Sequence, residues 1–101
     1  MAGKLDGEER DAALAGVPNW RWDPDRDGIR RTFRFRSFTE AFAFMTGVAL
    51  EAERADHHPE WSNVWARVEM LLTTHSAGGL THKDIALAHA ADKLALRLGA
   101  G

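Results

Sequence analysis

Three histidines answer to no packing pattern in this chain: His57, His58 and His75. His57 and His58 fall where a long helical stretch must yield to Pro59, because a proline drives the residue before it out of the helical region. His75 falls at the end of a strand pattern, on the parity opposite that strand's apolar set. Helix ends and strand ends can converge on one rim of a small sheet. Imidazole titrates at about pH 6.5, so three such rings on one rim could both donate and accept protons near neutrality. Taken singly, each reads more simply as solvated polar surface. His82 and His89 are read that way outright, since nothing else gathers near them on the last helix.

The residues around these rings carry paired readings. Glu53 stands four positions before His57, so it either tunes that ring from the same helix face or is a solvated carboxylate. Asp56 adjoins the pair. Asp84 reads first as the partner of Thr81 in a helix capping box, a role compatible with pointing toward a site. Trp61 could wall a pocket for a flat ring or pack on the sheet, and Trp65, of the same parity, reads more simply as sheet packing. Thr73 and Thr74 are hydroxyls at the end of a strand. No metal site is expected: adjacent histidines do not share a helix face, and no two histidines stand i, i+4 on a helix. The absence of cysteine excludes disulfides, thiolate nucleophiles, Cys-ligated zinc and iron–sulfur clusters.

The elements that must position these groups follow from capping and periodicity. Asp6 and Glu9 open a first helix that Gly16 and Pro18 end. Asn19–Asp23 is a short strand, and residues 24–28 (Pro, Asp, Arg, Asp, Gly) are turn chemistry. From Ile29 to Arg36 the pattern alternates, with Ile29, Phe33 and Phe35 inward and Arg30, Thr32, Arg34 and Arg36 outward. Ser37 and Glu40 cap a second helix running to about Asp56, with Phe38, Ala41, Phe42, Met45, Ala49 and Ala52 as its apolar stripe. Phe44 and Val48 lie off that stripe, which suggests a second neighbour, such as another subunit. Residues 61–66 and 67–75 read as a hairpin whose later strand buries Val68, Met70, Leu72 and Thr74. Thr81 and Asp84 cap the last helix, with Leu87, Ala91, Leu94 and Leu98 inward. The sum is an α+β domain over residues 1–101, with three helices on one face of a four-stranded antiparallel sheet in the order α-β-β-α-β-β-α.

Composition bounds what such a domain does. With 101 residues, a 45% apolar and 28% charged make-up and a net charge of −2, it is globular and lacks the basic footprint of a nucleic-acid binder. No apolar run nears the roughly 20 residues that span a bilayer. Residues 1–10 are charged and lack an apolar stretch like a signal peptide's, so a cytoplasmic location is expected. A chain this short buries only about 60–70% of its unfolded surface, which makes oligomerisation a natural supplement.

Glu53, His57, His58, Pro59, Trp65, His75 and Asp84 together resemble the signature of the pterin-4a-carbinolamine dehydratases, with every spacing kept. The flanking segments 42–49 and 72–80 are also similar to that family, and the resemblance covers roughly residues 5 to 98. Trp65 stands where many members carry Tyr. The resemblance implies the sheet-and-helix fold read above. It also implies dehydration of 4a-hydroxytetrahydropterin to the quinonoid dihydropterin, with no metal or organic cofactor, and assembly as a homodimer or homotetramer. In that setting the reaction recycles the pterin of an aromatic amino acid hydroxylase. His57 and His75 are then expected to be the proton-transfer pair and His58 to bind and orient the pterin. Trp61, Thr73 and Thr74 would shape the pocket, with Glu53, Asp56 and Asp84 around it. The alternatives are a non-catalytic interaction module that stabilises a partner's dimer, as some animal members do for a transcription factor, and a role in molybdopterin-type pterin metabolism.

Overall fold

The computed structural model describes residues 3–100; residues 1, 2 and 101 of the expected 1–101 domain lie outside the described residues. The elements are α1 (Gly7–Ala15), β1 (Arg21–Asp23), β2 (Gly28–Arg34), α2 (Phe38–Ala55), β3 (Glu60–Val64), β4 (Arg67–Leu72), a single 3-10 turn (His75–Ala77) and α3 (His82–Arg97). The strands form one antiparallel sheet in the order β1-β2-β4-β3. The expected fold is therefore present in the expected order.

Side-chain alternation divides the sheet into a dry face and a wet one. Ile29 and Phe33 of β2 and Val68, Met70 and Leu72 of β4 are all buried toward the helices. Arg30 and Arg34 of β2 and Glu69 of β4 lie on the open face. Helices α2 and α3 pack on each other and on the central strands, while α1 packs on α3. Arg10 of α1 stacks 4.4 Å over the Trp22 ring. Capping boxes start α1 and α3, and the Ser37 hydroxyl accepts the Glu40 amide at the start of α2. Among the described residues no helix is long and apolar enough to cross a membrane.

The stripe predicted for α2 is corrected. Its buried residues are Ala41, Phe44, Val48 and Ala52, whereas Phe38 and Phe42 are 49% and 57% exposed and Ala49 is exposed. Helical periodicity marks two apolar stripes here, offset by less than one residue step of about 100°. Partners decide between them: Phe44 stacks on Phe33 and Phe35, with ring centroids 4.6 and 5.0 Å apart, while Phe38 and Phe42 stack only on each other. In α3, Leu87 and Ala91 are buried as expected, but Leu94 and Leu98 are half-buried, and Ile85, Ala88 and Ala95 complete the core.

Strand boundaries also move. β1 begins at Arg21 rather than Asn19, because Trp20 is buried with its indole N–H donating to Asp92 at 2.9 Å. β2 begins one residue early at Gly28 and ends at Arg34, the last position with a partner on β4. β4 ends at Leu72, not His75, where the chain breaks into the 3-10 turn. Trp65 is not packed on the sheet: it sits at the hairpin tip with φ +50° and is 69% exposed.

Candidate active site

The C-terminal end of α2 aims the histidine pair. Asp56 takes the left-handed conformation (φ 51°, ψ 45°), and the His57 amide reaches back to the Ala52 carbonyl at 3.0 Å. This 6→1 closure is the kind that usually needs Gly or Asn, and Asp tolerates it for the same local reason. It turns the His57 ring inward, where the residue is 8% exposed, and leaves His58 on the surface. Pro59 then delivers the chain into β3.

His57 meets a buried polar cluster. Its Nε2 lies 2.5 Å from Oδ1 of Asp84, which is wholly buried in the first turn of α3. The other oxygen, Oδ2, accepts the Thr81 amide at 2.9 Å and the Thr74 hydroxyl at 2.8 Å. Because Thr74 spends its one proton on Asp84, the Thr81 hydroxyl must donate to Thr74 across their 2.8 Å contact. Among the described residues no buried side-chain nitrogen or oxygen lacks a partner. Asp84 is thus both the expected helix cap and the anchor of His57. Glu53, expected on the His57 face, instead bonds Nε2 of His58 at 2.8 Å, because the left-handed residue swings His57 off the helix.

His75 arrives from the other side. A two-way backbone bridge between Thr74 and Gly79 pinches the loop, and Gly78 closes it at φ +76°. The exposed His75 ring places Nε2 3.2 Å from Oε2 of Glu60, which also takes Arg26 Nη2 at 2.6 Å. The Arg26 guanidinium holds the Glu60 carboxyl below the ordinary glutamate range, with His75 adding to the effect. Glu60 in turn raises Arg26.

These groups surround a cavity of about 410 Å³ between the end of α2, the ends of β3 and β4, and the start of α3. It is lined by Asp56, His57, His58, Thr73, Thr74 and His75 among the predicted residues, together with Pro59, Glu60, Leu71, Ser76 and Lys83. Glu53 and Asp84 stand behind the lining: Glu53 reaches it through His58, and Asp84 through His57 and Thr74. Trp61 is not in the lining: it pairs with Met70 on the helix side of the sheet and packs half-buried against the core. Thr73 lines the cavity but donates to the Asp27 carbonyl at 2.9 Å. Of the residues sequence reasoning missed, Leu71 left a signal. It is the one aliphatic residue in the otherwise polar outward set of β4, and it is 3% exposed on the open face. Glu60 and Lys83 left none. Among the described residues no three His, Cys, Asp or Glu are grouped to hold a metal ion.

An apolar floor at Leu71 with three carboxylate-anchored imidazoles at the walls defines a class: a small α+β protein whose open site can trade protons with a compact ligand. The chain belongs to the pterin 4 alpha carbinolamine dehydratase family, whose profile matches residues 3–94. A Rhizorhabdus wittichii protein provisionally named a pterin-4-alpha-carbinolamine dehydratase is 60% identical over 91 residues, covering 90% of this chain and 94% of the relative. One from Rhodopseudomonas palustris, named the same way, is 54% identical over 98% of both chains. The crystal structure of a transcriptional coactivator/pterin dehydratase from Brucella melitensis superposes with a TM-score of 0.90 at 41% identity, over 92% of this chain and 99% of that one. The fold is shared more distantly, at TM-score 0.66 and 24% identity over 76% of this chain and 89% of the other, by a pterin dehydratase-like RuBisCO assembly factor of the alpha-carboxysome.

Proposed function

We propose that this protein dehydrates a 4a-hydroxytetrahydropterin to the quinonoid dihydropterin using side chains alone for proton transfer. The observation that supports it most is that His57, His58 and His75, from two separate segments, line one cavity. The elimination removes the hydroxyl from C4a and a proton from N5, forming the C4a=N5 double bond and releasing one water. One group must protonate the departing hydroxyl and another must take the N5 proton. His57 and His75 fill these roles; His58, Asp56 and Thr74 bind and orient the ring against Leu71. Asp84 and Glu53 hold His57 and His58 in place. No metal or organic cofactor enters the reaction. In the cytoplasm such an activity returns the pterin of an aromatic amino acid hydroxylase to use, and molybdopterin-type metabolism is the alternative setting.

A stopped-flow assay with chemically generated 4a-hydroxytetrahydropterin tests the activity. Quinonoid dihydropterin is expected to form faster in proportion to added protein, and a rate equal to the spontaneous one would refute it.

A homodimer or homotetramer is part of the same reading. The outward stripe of α2, Phe38, Phe42 and Ala49, leaves a stacked aromatic pair in water, and a second copy would bury it. Sedimentation of the wild-type protein is expected to give an oligomer, and Phe42→Glu a smaller species. A wild-type monomer at tens of micromolar would contradict this.

A further inference from the structure

We propose that Glu60, braced by Arg26, is a positioning residue that keeps the His75 proton on Nε2 and so makes Nδ1 the atom that exchanges protons with the ligand. This rests on the proposed role of His75. Glu60 opens the edge strand β3 and stands opposite Leu71 in the β3–β4 register. A single carboxylate oxygen, Oε2, faces both Arg26 Nη2 at 2.6 Å and His75 Nε2 at 3.2 Å. An anionic oxygen can only accept, so the shared hydrogen belongs to Nε2, and a neutral ring then has its lone pair on Nδ1. Arg26 keeps that oxygen anionic by the charge-assisted bond already described.

The same atom is used throughout the site. His57 is held through Nε2 by Asp84, and His58 through Nε2 by Glu53. Each carboxylate comes from a different element: α3, α2 and β3. In all three rings the carboxylate contact is made by Nε2 and not by Nδ1, and Glu60 supplies the third anchor. Glu60 also ties His75 to the turn between β1 and β2, which carries Arg26 and whose Asp27 carbonyl accepts the Thr73 hydroxyl.

Glu60 and His75 are both exposed, so Glu60→Ala and Glu60→Gln should fold as the wild type does. Two readouts separate this proposal from the dehydratase reading. Long-range proton–nitrogen NMR reports the His75 tautomer with no reference to turnover, and stopped-flow dehydration reports kcat and KM. The wild-type ring is expected to show the Nε2–H tautomer. Glu60→Ala should scramble it and lower kcat by about tenfold with KM within about twofold, a modest share of an acid–base contribution. Glu60→Gln, whose amide oxygen still accepts from Nε2–H, should restore the tautomer and most of kcat. An unchanged tautomer in Glu60→Ala, or a change in KM alone, would overturn the positioning role. A scrambled tautomer in a protein with no dehydratase activity would leave the positioning of the ring intact and refute only the reaction assigned to it.

Discussion

Replacing His57 with alanine is expected to lower the dehydration rate by about 10²- to 10⁴-fold, the range that one positioned acid or base contributes. That corresponds to about 3–5 kcal/mol of barrier. His57 is nearly buried and shares its hydrogen with Asp84 at 2.5 Å, so its removal also leaves a carboxylate oxygen with one partner fewer. His75→Ala is therefore the companion variant. His75 is exposed on the rim, its loss leaves the core untouched, and a rate defect there reports chemistry rather than folding. Both variants should lose activity, with His75→Ala keeping the wild-type melting temperature. Wild-type turnover in both would defeat the assignment.

Asp84→Ala is expected to be the most destabilising polar substitution, costing about 3–5 kcal/mol, since each buried donor left without an acceptor costs about 1–3 kcal/mol. One carboxylate accepts the Thr81 amide, the Thr74 hydroxyl and the His57 ring. Truncation leaves all three donors without an acceptor in a position with no solvent access. Asp84→Asn keeps the shape but offers one accepting oxygen in place of two, so it should lose less, about 1–3 kcal/mol. Urea unfolding at constant m value measures both. A shift below about 1 kcal/mol in the alanine variant would show that the cluster is rewired by water. Dehydratase activity should fall in both variants, since the His57 ring loses its anchor.

Much of this was legible beforehand. The alternation in β2 and β4 named Ile29, Phe33, Val68, Met70 and Leu72 as core, and all are buried. The three caps marked helix starts to within a residue, because a cap is a local hydrogen bond that needs nothing from the rest of the fold. The histidine spacing pointed to one rim, and one cavity holds all three rings.

What failed was whatever required knowing a partner. Spacing alone does not choose the α2 stripe, because Phe44 and Phe42 differ only in what lies opposite: Phe33 of β2 and Phe35 just past its end. Helical spacing puts Glu53 beside His57, yet one left-handed residue at Asp56 gives it His58 as its partner instead. Closeness to Pro59 suggests a pocket position for Trp61, but strand parity sends it to the core side opposite Met70.

The sequence by itself determined the elements, their order, the dry face of the sheet and the identity of the imidazoles, because these depend on local bonds and on a periodicity of two or 3.6 residues. Only the tertiary structure decided which carboxylate anchors which ring. His57–Asp84 and His75–Glu60 join residues 27 and 15 positions apart, and such contacts exist only once sheet and helices have closed around one core. Spacing along a chain carries no record of which side chains a fold will bring within a hydrogen bond of each other.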